Sequence, residues 1–151
     1  MPTNYPAPDL TQRSPRSPRL RLGGFVILPR LLDKGRAKLA GKIGEYNYAC
    51  GLDQRFLDFV KVDPKAILKQ LKAGKGDGEI LAWILENSQS KPTPWDILQW
   101  SAYQEARTAD SLEAKERVAK ALAKLAKDRT DIATGFDLLD LDDYATFGGK
   151  P

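Results

Sequence analysis

The sequence predicts an all-α protein, an irregular bundle of six or seven helices with an extended Pro/Arg-rich arm at its N-terminus. Three observations carry that prediction. Apolar residues recur at helical spacing through most of the chain after Leu28. Asp63-Pro64, Thr93-Pro94 and Ser111 put capping residues ahead of helical runs, two of them with proline at the first helical position. Period-two alternation is confined to two short stretches, Arg19–Leu22 and Glu45–Cys50.

The chain has 151 residues, of which 42% are hydrophobic and 29% charged. That length and balance suit one globular domain with a core of its own. The pattern divides it into an arm, residues 1–22, and a single helical domain, residues 23–151. Residues 1–18 hold Pro2, Pro6, Pro8, Pro15 and Pro18, half of the 10 prolines. Proline removes backbone donors and fixes φ, so the arm is expected to be extended or disordered and to add little stability. Residues Arg19–Ile27 are expected to dock as an extended strand. Arg13, Arg16, Arg19 and Arg21 outweigh Asp9 and account for most of the net charge of +4. The body is therefore nearly neutral and not obviously a nucleic-acid binder.

From Pro29 the period is helical, with Leu28, Leu31, Leu32, Gly35 and Leu39 on one face. Arg30, Lys34 and Lys38 fall on another, expected to be solvated. Glu45–Cys50 reads as a short extended piece and Asp53 as the cap of the next helix. Asp63-Pro64 opens a helix burying Ile67, Leu68 and Leu71; Asp77 reads as the next N-cap. The helix carrying Ile80, Leu81, Trp83, Ile84 and Leu85 is apolar on most sides, which places it at the centre of the bundle. Thr93-Pro94 starts a helix presenting Trp95, Leu98 and Ala102. Ser111 caps a long Ala/Leu/Lys helix, and an Asp-rich segment closes the chain.

The single cysteine, Cys50, and the absence of histidine exclude much chemistry. No internal disulfide is available, so nothing points to an oxidising compartment. With no apolar run of signal-peptide or membrane-spanning length, the expected location is cytoplasmic. Ser-His-Asp and Cys-His nucleophiles are impossible within the chain, as is a His/Cys zinc site. No structural zinc or transition metal and no cofactor are expected. Acid–base work would fall to Asp, Glu, Lys, Tyr or Cys50.

Several blocks together resemble a known family. They include Leu22-Gly23-Gly24-Phe25, Leu28-Pro29-Arg30-Leu31-Leu32-Asp33-Lys34, Gly44-Glu45-Tyr46 and Leu52-Asp53-Gln54-Arg55-Phe56. Gly74-Lys75-Gly76-Asp77-Gly78-Glu79-Ile80, Thr93-Pro94-Trp95 and Phe136-Asp137-Leu138-Leu139-Asp140-Leu141-Asp142-Asp143 continue the set, with Phe147-Gly148-Gly149 at its end. The pattern resembles the bacterial family called domain of unknown function 5069, over nearly the whole chain from Asp9. The resemblance implies one compact domain and carries over no activity. It also implies that Asn47 stands where relatives often have histidine, and Gly51 where they have proline.

Candidate sites each have a plainer reading. Gly74–Glu79, with Lys75, suggests an anion cradle, but no strand precedes it and Asp77 occupies the anion's place; a helix–helix connection explains it. Glu45, Tyr46, Tyr48, Asp53 and Arg55 form a polar–aromatic cluster that could line a pocket, or an internal ion pair of Arg55 with Asp53 or Glu45. Cys50 could be activated by Arg55, or simply be buried. The Asp-rich tail could hold a divalent cation, or be a solvated acidic face pairing with lysines. Trp83, Trp95, Trp100 and Tyr103 fit a stacking platform or a core.

Two functional readings follow. In the first, the protein is a non-catalytic accessory subunit. Its arm, through Arg13, Arg16, Arg19 and Arg21, docks on an acidic protein, a larger complex or nucleic-acid phosphates. In the second, it is a small enzyme or ligand-binding protein with a pocket around Tyr46, Tyr48, Asp53, Arg55, Lys75 and Glu79. A solid core under an extended arm favours the first; a concave pocket favours the second.

Overall fold

Residues 7–151 are described by a computed structural model with seven helices, and no strand lies among them. The helices are α1 (Leu28–Leu39), α2 (Gly51–Val60), α3 (Pro64–Lys72), α4 (Asp77–Asn87), α5 (Pro94–Ala106), α6 (Leu112–Leu125) and α7 (Gly135–Thr146). The sequence signals that start them hold where proline and a capping side chain coincide. Asp63 Oδ1 accepts the Lys65 N–H at 2.9 Å. Thr93 and Asp96 cap each other's backbone N–H groups. Ser111 accepts the Ala114 N–H. Two assigned caps move. The N-cap of α2 is Cys50 and that of α4 is Gly76, whose N–H is taken by Glu79. Asp53 and Asp77 sit inside the first turn of each helix instead, and their carboxylates reach distant cations.

Helix α1, not α4, is the centre. Leu28, Leu31, Leu32 and Ala37 are fully buried, and Arg30 and Lys34 are buried on its other side. The expected solvated Arg30–Lys34 face is therefore a buried one, and only Lys38 of that row is exposed. Helical periodicity marks those positions as polar; it cannot show that carboxylates from α2 and α7 meet them. Gly35 lets α3 pack closely, since a Cβ there would lie 2.6 Å from Leu71 Cδ1. Helix α4 buries Ile80 and Ile84, but Trp83 is half-buried and Leu85 exposed.

Helix α5 turns Ile97, Ser101 and Gln104 inward rather than Trp95, Leu98 and Ala102. Trp95 is 64% exposed. Trp100 stacks on Phe59 at 4.9 Å, while Phe25 meets Phe56 edge-on at 5.3 Å. Of the four candidate stacking residues Trp83 and Trp100 thus pack against the core, while Trp95 and Tyr103 lie on the surface.

The arm is laid down on the body. Leu10, Pro15 and Pro18 are buried, and the Leu10 N–H donates to the Lys42 carbonyl. Its first six residues lie outside the described ones. The expected strand at Arg19–Ile27 is replaced by a tight turn. Leu22 and Phe25 exchange two backbone hydrogen bonds around Gly23 (φ 59°) and Gly24 (φ 85°), a conformation glycine adopts without steric cost. The Ile27 N–H then donates to the Pro18 carbonyl, tying the arm to the start of α1. Glu45–Cys50, expected to be extended, forms turns. No helix in the described residues is long and apolar enough to cross a membrane.

Candidate functional site

The residues grouped by the sequence as a central pocket turn to different partners rather than lining one recess. Asp53 turns to α1, where its Oδ2 lies 2.7 Å from Lys34 Nζ. Lys34 also donates to Cys50 Sγ at 3.2 Å. Tyr46 donates to Asp143 Oδ1 at 2.7 Å, beneath the Arg30 guanidinium. Burial, and then the hydrogen bond to Asp143, push its phenol well above the ordinary tyrosine range. Tyr48 donates to the Pro64 carbonyl, and burial followed by the charge of Asp53 raises it as well. Lys75 contacts Gln70 and Glu79 caps α4, so Gly74–Glu79 is the connection of α3 to α4. Arg55 meets neither Asp53 nor Glu45; its one hydrogen bond among the described residues goes to Gln104 at 3.4 Å.

The arm arginines close on the body. Arg16 bridges Asp33 (3.0 Å) and Asp77 (2.7 Å), and Arg36 reaches the other Asp77 oxygen at 2.8 Å. Burial disfavours the charged carboxylate of Asp77, but hydrogen bonds from Arg16 and Arg36 outweigh this and hold it below its ordinary range. Arg19 pairs with Asp137 and Asp140. Arg21 pairs with Glu105. Arg13 makes no ion pair among the described residues. The acidic tail of α7 therefore meets arginines rather than lysines, including Arg30 with Asp143 at 2.7 Å. No group of ligating side chains suited to a metal occurs among the described residues.

The ion pairs of Arg16 and Arg36 border a recess of about 770 Å³ under the arm, and a second cleft, of about 640 Å³, lies between α2, the end of α5, α6 and the start of α7. Leu52, Val118, Phe136 and Leu139 give it apolar walls, and Arg55, Arg107 and Arg117 border it. Helix α6 forms one side. Its half-buried residues Ala114, Val118, Ala121, Leu122 and Leu125 make one apolar stripe, yet none of its 14 residues is buried. An amphipathic helix that filled its interface would bury part of such a stripe. The three bordering arginines differ from Arg16, Arg19, Arg21, Arg30 and Arg36: among the described residues none of the three hydrogen-bonds a carboxylate. Arg107 stands 3.6 Å from exposed Asp110 and lies over the Tyr103 ring. Arg117 has no ion pair among the described residues. Of the site residues singled out from sequence, only Arg55 lines this cleft. Arg107 and Arg117 were missed because their charge carries no signal until the chain folds four separate segments together.

The fold and the cleft define an all-α protein with a clasped N-terminal arm and an arginine-bordered recess between α2, α5, α6 and α7. Residues 12–145 match the family described as Domain of unknown function (DUF5069), and the chain belongs to that family. Among curated proteins no match was found.

Proposed function

We infer that the protein is a binding protein whose ligand is a small molecule held in the cleft between α2, α5, α6 and α7. The observation that carries this reading is the pairing pattern of the arginines. Arg16, Arg19, Arg21, Arg30 and Arg36 each have a carboxylate partner. Among the described residues Arg55, Arg107 and Arg117, grouped around one apolar recess, lack a hydrogen-bonded one, as does Arg13 of the arm. A recess of this size falls within the range of roughly 300–1,000 Å³ usual for small-molecule sites. Its lining supplies shape, methyl groups, guanidinium and amide donors, which recognise a ligand. A fragment screen observed through the backbone amides of the protein tests the reading. Shift changes should cluster on α6 and on the facing residues of α2, α5 and α7. Hits clustering elsewhere, with this region silent, would overturn it.

The accessory reading, in which the arm docks on an acidic or phosphate-bearing partner, rests on Arg13, which has no ion pair among the described residues. For Arg16, Arg19 and Arg21 such a partner would have to displace Asp33, Asp77, Asp137, Asp140 and Glu105. Capture of partners by the full chain and by a chain cut after Pro18, at low and high salt, tests that reading.

A further inference from the structure

We propose that the ligand of the cleft is a single-chain amphiphile with an anionic head, a carboxylate or a phosphate monoester. The proposal deepens the reading above and rests on it. Two independent features of the cleft point to the two ends of such a molecule.

The first is the unfilled apolar stripe of α6. Ala114, Val118 and Ala121 face the cleft at helical spacing, opposite Leu52, Phe136 and Leu139. Apolar surface facing a void loses both the hydrophobic gain and the dispersion contacts that a filling group would restore. An alkyl chain laid along α6 supplies what is missing. A compact polar ligand, such as a sugar or free phosphate, would leave those walls unsatisfied.

The second is charge. Three guanidinium groups border the same recess, on α2 (Arg55), at the end of α5 (Arg107) and on α6 (Arg117). Arg55 is half-buried and lines the recess; among the described residues it makes a single long hydrogen bond, to Gln104, and has no acceptor of opposite charge. Guanidinium forks match carboxylate and phosphate oxygens, and in a partly desolvated recess such pairs gain strength. Asp110, the one acidic side chain on the rim, is exposed and too far from Arg107 for a hydrogen bond. The balance of the rim is therefore cationic, and an alcohol or amine head would leave it uncompensated.

The test is isothermal titration of the full chain with dodecanoate, dodecyl phosphate and dodecanol, all below micelle-forming concentration. At least one of the two anions should bind with one molecule per chain; which of them binds more tightly decides the head. Dodecanol should bind about tenfold or more weakly, the usual worth of a charge-assisted hydrogen bond. Arg117→Ala should close most of that gap without lowering the melting temperature, because Arg117 is exposed and has no ion pair among the described residues. Val118→Trp and, separately, Ala121→Phe should abolish binding of all three while circular dichroism stays helical. Equal binding of dodecanol and both anions would overturn the anionic head and leave the cleft as an apolar site. Anion binding undiminished in both folded cleft-filling variants would overturn the cleft reading itself. Failure of every probe to bind, alongside fragment hits in the cleft, would overturn the amphiphile alone.

Discussion

Lys34 Nζ lies 2.7 Å from Asp53 Oδ2, and both side chains are sealed from water inside the junction of α1 and α2. Neither Asp53 oxygen accepts a well-aligned hydrogen bond among the described residues, so the carboxylate depends on the charge of this one cation. Each charge justifies the burial of the other. Removing one should leave an unpaired buried charge. Asp53→Ala is expected to cost about 3–5 kcal/mol. The double variant Lys34→Met, Asp53→Leu should recover much of that loss, because it removes both charges and keeps the volume. Urea unfolding of the three proteins measures this; a double variant less stable than Asp53→Ala would contradict it.

The arm should be part of the folded unit. Leu10, Pro15 and Pro18 are buried and Arg16 holds α1 and α4 through Asp33 and Asp77. Arg16→Ala should cost about 1–2 kcal/mol, the scale of a half-buried charged hydrogen-bond network rather than a lone surface pair. A chain cut after Pro18 should lose more. Thermal melts decide this, and an unchanged melting temperature in the truncated protein would return the arm to the independent role its composition suggests.

Acid should loosen the same clasp. Asp77 is held below its ordinary value of 3.8 by Arg16 and Arg36, after burial has acted the other way. Asp137, against burial, is lowered by its cap to Thr134 and Ala133 and by Arg19. Both bind a proton more weakly folded than unfolded. Their contribution is therefore complete above the unfolded value and fades as pH falls through the lower folded one. Stability should hold from neutral pH to about 4 and then drop. Arg16→Ala should flatten the drop. Guanidine-free thermal melts from pH 7 to 2.5 read it out, and a parallel fall in both proteins would contradict the assignment.

Arg55 separates structure from binding. Without a carboxylate partner, Arg55→Ala should shift stability by no more than about 0.5–1 kcal/mol. It should weaken ligand binding in the cleft much more. A large loss of stability would show an ion pair that the geometry does not contain.

The helix starts were legible because their signals are local: Asp63-Pro64, Thr93-Pro94 and Ser111 each act within four residues. The centre of the bundle was not. Arg30 and Lys34 look like a solvated row until Asp143 and Asp53, far along the chain, arrive beside them. Trp95 and Trp100 exchange roles for a similar reason. Nothing within α5 distinguishes its two apolar stripes, and Phe25, Phe56 and Phe59 select the one carrying Trp100. The prolines of the arm carry no signal for its docking, which depends on carboxylates from α1, α4, α5 and α7. Of the candidate site, Arg55 alone was visible, and the ion pair expected for it with Asp53 or Glu45 does not form, because Asp53 turns to Lys34 instead.

Amide shift mapping of fragment binding, run side by side on the native protein and on Val118→Trp, tests the central claim most directly. Indole at Val118 fills the recess between α6 and Phe136 at a modest packing cost. The native protein should show saturable shifts around Arg55, Arg107, Val118 and Phe136, and the Val118→Trp protein, still helical, should show none there. Hits that persist unchanged in the filled protein would contradict the cleft as the binding site.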